Sequence, residues 1–64
     1  MKVKLAIRLL QEDDGRWVGT VDALPGVMAY GRTDAEAISK TQAQAYWRIA
    51  DMLDSGELEQ IAVG

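Results

Sequence analysis

Glu12, Asp13 and Asp14 form a run of three carboxylates that ends on Gly15. Clustered carboxylates are what general acid–base work or the holding of a hard cation would require. The run lacks the alternating D-x-D-x-D-G spacing of a calcium loop, and aspartate before glycine serves tight turns for backbone reasons. It reads as turn chemistry. A second acidic group, Asp51, Asp54, Glu57 and Glu59, gathers at the C-terminal end of a predicted helix. The helix dipole disfavours carboxylates there. That group is either a solvated acidic end or a patch for a basic partner. Arg48 has Gln44 and Asp51 at helical spacing and is expected to pair with one of them. The chain has no histidine and no cysteine. Ser-His-Asp and Cys-His arrangements, thiol chemistry and the common zinc ligand sets are therefore out of reach. Nothing assembles a nucleophile, a base and an oxyanion donor. No enzyme activity, cofactor or metal site is expected.

Composition narrows the partners. Sixty-four residues make a single domain, 1–64. So short a chain hides only about 60% of its unfolded surface, and no disulfide or zinc staple compensates. Yet 48% of its residues are hydrophobic. A small unstapled chain with that much apolar surface is expected to form a homo-oligomer, a dimer or a dimer of dimers. The net charge of −3 and pI near 4.6 argue against nucleic acid, whose binding rests on Lys and Arg neutralising phosphates. Arg8 interrupts the N-terminal apolar run, no signal-peptide cleavage pattern follows, and no segment approaches a transmembrane length. The expected location is the cytoplasm, away from membranes.

The elements that carry these residues are legible from period and punctuation. Val3, Leu5, Ile7 and Leu9 alternate with Lys2, Lys4 and Arg8, which predicts a half-buried strand over 2–9. Asp14-Gly15 signals a hairpin into a second, antiparallel strand over 16–24. Trp17, Gly19 and Val21 share one face of that strand, and Val18, Thr20 and Asp22 the other. Pro25-Gly26 predicts a type II turn, and 27–30 a short third strand released by Gly31. Thr33 and Glu36 make a T-x-x-E capping box, in which Thr33 accepts from the Glu36 amide and Glu36 reaches back to the Thr33 amide. Nothing breaks a helix from Asp34 to about Ser55, and Gly56 stands where a C-cap glycine belongs. Ile61 to Val63 could add a last strand. The fold class is α+β: a three-stranded antiparallel sheet plus a C-terminal strand, with one long helix on one face.

That helix carries two apolar stripes. Ala37, Ile38, Thr41, Ala45, Ile49, Met52 and Leu53 recur at three- and four-residue spacing as the face toward the sheet. A second line, Ala43, Tyr46, Trp47 and Ala50, is placed on a neighbouring flank. One sheet face cannot bury both, so the second line is the candidate interface for a partner or a second copy, with Trp47 as anchor. The sheet edge near Ile61 is the other candidate.

The order of these features resembles the HicB-like antitoxin family over about residues 1–56. The residues that carry the resemblance are Asp14, Gly15, Trp17, Asp22, Leu24, Pro25, Gly26, Gly31, Thr33, Glu36 and Ala37. The resemblance implies a β-β-β-α-β fold like a truncated ribonuclease H domain without nuclease activity. It also implies a homo-oligomer that neutralises a small RNA-cleaving HicA-type toxin by direct binding. The fuller antitoxins continue into a ribbon-helix-helix or helix-turn-helix segment. No such segment follows here, so DNA binding is not expected. The alternative function is a self-associating HicB-like domain with no toxin partner.

Overall fold

The computed structural model of the chain describes residues 5–58. Three strands, β1 (Ile7–Gln11), β2 (Trp17–Val21) and β3 (Met28–Gly31), precede one helix, α1 (Asp34–Ser55). The strands form an antiparallel sheet in the order β1-β2-β3. Its register sets Leu9 opposite Gly19, Leu10 opposite Val18, and Val18 opposite Tyr30. The expected sheet-and-helix order is present as an α+β fold. The expected strand at Ile61 lies outside the described residues.

Strand limits differ from the sequence reading for identifiable reasons. β1 begins at Ile7 and runs on to Gln11. The start of the expected strand, residues 2–4, lies outside the described residues. The connection to β2 spans five residues: Gly15 donates its amide to the Glu12 carbonyl at 2.9 Å, and Glu12 donates to Arg16 at 2.7 Å. β2 stops at Val21 because Leu24 N–H turns back onto the Val21 carbonyl at 3.0 Å. Asp22 to Leu24 therefore belong to a turn. The next turn has the expected type II form: Val27 N–H donates to Leu24 O at 3.1 Å, and Gly26 takes φ +92°. A side chain at Gly26 would be forced into the left-handed region that L-residues avoid. β3 then starts one residue later than expected, at Met28.

Thr33 caps α1 as predicted, its hydroxyl accepting from Glu36 N–H at 3.1 Å. The reciprocal contact moves by one residue: the Glu36 carboxylate accepts from Arg32 N–H at 3.2 Å, not from Thr33. The helix runs 22 residues and closes on Gly56 in the left-handed conformation.

The core between sheet and helix is thin. Ala37, Thr41 and Ala45 are its fully buried helix residues; Ala45 clusters with Val21 and Val27, and Leu5, Ile7 and Leu24 pack against that cluster. Small residues let the helix approach closely. A Cβ on Gly19 would strike the Thr41 hydroxyl, and one on Gly31 would lie 2.9 Å from the Ala37 Cα. Gly19 therefore faces α1. By strand alternation Val18, Thr20 and their cross-strand partners face the other way. Ile38, Ile49 and Met52 are half-buried at the border of the core. Leu53, expected on the core stripe, is 37% exposed instead. At about 100° per residue it lies too far round the helix from the Ala37–Thr41–Ala45 line to reach the sheet.

Candidate interaction surface

Ala43, Tyr46, Trp47 and Ala50 come together on α1, and all four are exposed. They stand between about 120° and 180° round the helix from the buried line, so they occupy its far side rather than a neighbouring flank. Trp47 is 74% exposed and Tyr46 51%. A tryptophan with most of its surface in water adds little to the packing of its own domain, whereas buried in an interface it is a strong anchor. Beside it runs an open groove between the Pro25–Val27 turn and Gln44, Arg48 and Asp51. Ile61, the other candidate, lies outside the described residues.

The groove and the aromatic face are bordered by acid. Asp51, Asp54 and Glu57 are exposed at the end of α1. Glu59 lies outside the described residues. Arg48 donates to Asp51 at 2.9 Å and to Glu57 at 3.0 Å. Asp51 was one of its two expected partners. Glu57 was beyond helical spacing and is reached because Gly56 reverses the chain, with Leu58 N–H returning to the Met52 carbonyl at 3.1 Å. One guanidinium stands among three carboxylates, so the surface presents net negative charge next to exposed indole. That combination suits a cationic, partly apolar protein surface.

Two carboxylates of the first acidic run, Asp14 and Glu12, make structural contacts. Asp14 accepts from Arg16 N–H at 3.0 Å and from its Nε at 2.8 Å. The Arg16 backbone bond, followed by its side chain, holds the Asp14 carboxyl below its ordinary value. Glu12 accepts from the Tyr30 hydroxyl at 3.4 Å. Among the described residues no three His, Cys, Asp or Glu side chains stand together as a metal-ligand group. Glu36 is also held below its ordinary value, first by the Arg32 amide and then by Lys40.

A second exposed apolar surface escaped the sequence reading. The face of the sheet away from α1 carries Leu10, 61% exposed, and Met28, 47% exposed, with Tyr30 beside them. The signal was the Leu9-Leu10 doublet, which breaks the alternation of β1 and puts one leucine on each face. Among the described residues no helix is long and apolar enough to cross a membrane. No protein-family model, curated protein or solved structure matches this chain.

Proposed function

We propose that this chain is a non-catalytic, homo-oligomeric protein-binding domain of the HicB-like antitoxin kind. Its partner is a small cationic HicA-type toxin, bound through Trp47, Tyr46, Ala43 and Ala50. In this reading Ile61 to Val63 complete a β-β-β-α-β, truncated ribonuclease H-like fold, and the domain works in the cytoplasm without a cofactor. The observation that carries it is the exposed Trp47 flanked by Asp51, Asp54 and Glu57. A protein that grips RNA must be cationic, and an acidic surface with an aromatic anchor covers such a protein and shields its RNA site. The ordered turn and cap residues support the family reading, since Asp14-Gly15, Pro25-Gly26 and Thr33-x-x-Glu36 each serve the junction expected of them.

The test is an RNA-cleavage assay with a HicA-type toxin. Equimolar chain is expected to abolish cleavage, with half of it leaving roughly half the activity at concentrations well above Kd. Cleavage that continues unchanged at tenfold excess of chain contradicts the toxin reading and favours the self-associating alternative.

A further inference from the structure

Asp14 is the one aspartate of the chain that precedes a glycine, and the chain has no asparagine. An aspartyl carboxyl in that position is open to attack by the next main-chain nitrogen, because glycine has no side chain to obstruct ring closure. Closure forms a bond between Gly15 N and Asp14 Cγ. The carboxyl hydroxyl and the amide proton leave together as water, and a five-membered succinimide remains. A solvent water then opens the ring. Opening at Cγ restores aspartate, whereas opening at the main-chain carbonyl leaves isoaspartate, with the chain running through Cβ and Cγ.

The fold engages both reacting groups. Gly15 donates its N–H to the Glu12 carbonyl at 2.9 Å. The Asp14 carboxylate accepts from Arg16 N–H through one oxygen, at 3.0 Å, and from Arg16 Nε through the other, at 2.8 Å. For closure the nitrogen must give up its proton and the carboxyl must gain one. The Glu12 carbonyl opposes the first step, and the two Arg16 donors, which favour the ionised carboxylate, oppose the second. The backbone bond from Arg16, followed by its side chain, accordingly holds the carboxyl below its ordinary value.

Hydrogen bonding, not burial, supplies this restraint. The Asp14 side chain is 54% exposed, so water reaches it freely. The restraint also reaches beyond the turn, since the Arg16 guanidinium lies 4.7 Å over the Tyr30 ring on β3.

From these contacts we propose that Asp14-Gly15 is a latent site of isoaspartate formation, held shut in the folded chain by Arg16 and the Glu12 carbonyl and released when the hairpin opens. Isoaspartate lengthens the main chain by one atom inside the connection between β1 and β2. The bond from Glu12 N–H to Arg16 O, 2.7 Å long, spans that added atom. The modification therefore strikes the contact that closes the hairpin. This assignment is independent of any partner.

Incubating the full chain at neutral pH, folded in buffer and unfolded in guanidinium chloride at the same temperature, tests it. Peptide mapping with electron-transfer fragmentation reads isoaspartate at Asp14 through cleavage of its Cα–Cβ bond. The unfolded chain is expected to accumulate it at least about fivefold faster, because closure in the fold must first break hydrogen bonds worth roughly that factor each. Folded Arg16→Ala keeps the main-chain donor but loses Nε and the contact with Tyr30, and its rate is expected to fall between the two. Circular dichroism verifies that the variant is folded, and the wild-type comparison decides the matter even where it is not. Equal rates in folded and unfolded wild type overturn the protection. An unfolded chain that gains no isoaspartate at Asp14 overturns the site itself, and a folded Arg16→Ala as slow as wild type overturns the role of Arg16.

Discussion

Two contacts show how individual residues hold this small domain. Thr41 is fully buried, and its hydroxyl has no hydrogen-bond partner. It sits against Gly19, where a Cβ would strike that oxygen and approach Thr41 Cβ to 3.1 Å. Gly19→Ala should therefore destabilise by about 1–3 kcal/mol through overpacking. Thr41→Ala in the same chain should recover part of that loss, giving a favourable coupling of at least about 0.5 kcal/mol in a double-mutant cycle followed by urea unfolding. Strict additivity would mean that α1 does not rest on β2 at this point. Glu36 gives a pH prediction. Its folded-state pKa is depressed by the Arg32 amide and Lys40. Its stabilisation is therefore complete above the unfolded pKa and is lost as pH falls through the folded one. Asp14, depressed by Arg16, acts in the same sense. The melting temperature should fall between about pH 5 and pH 3, and less steeply in Glu36→Gln. Identical pH profiles for the two proteins would refute the role of this carboxylate. The acceptor role of Thr33 was legible in sequence, but the partner of Glu36 was not. A side chain at the third helical residue can reach either preceding amide, and the path of Arg32 decides which.

At the scale of elements, turn and cap chemistry was the most legible. Pro25-Gly26 and Gly56 act through local backbone conformation, which depends little on the rest of the chain. Strand ends were less so: Val21 closes β2 because the following turn captures its carbonyl, a contact that alternation of side chains cannot announce. The two helix stripes were seen, but the angle between them was misjudged. Counting about 100° per residue puts Tyr46 and Ala50 behind the helix and Leu53 off its core line. The open sheet face went unread because it is a property of register: Leu10, Val18 and Tyr30 become neighbours only once the strands pair. Helix initiation is the element-level test. Thr33→Ala removes the acceptor of the Glu36 amide and should cost about 1 kcal/mol, lowering the melting midpoint by several degrees. Coincident thermal melts of variant and wild type would show that Thr33 does not set the start of α1.

For the whole molecule, a thin core leaves apolar side chains exposed on two faces, the far side of α1 and the open side of the sheet. Its net charge of −3 restricts what can cover it. Duplex DNA should not bind near physiological salt, because the chain's acidic residues outnumber its cations and repel the phosphate backbone. Sub-micromolar, sequence-dependent retardation in a gel-shift titration would contradict this. The central claim is that the far side of α1, anchored by Trp47, receives a cationic protein. Isothermal titration of a HicA-type toxin into wild type and into Trp47→Ala tests it most directly. Since Trp47 is 74% exposed, its removal should leave the melting temperature of the free chain essentially unchanged. Loss of an interface anchor should weaken binding at least about 30-fold, the equivalent of about 2 kcal/mol. Equal affinities for the two proteins would place the partner on another surface and contradict the account.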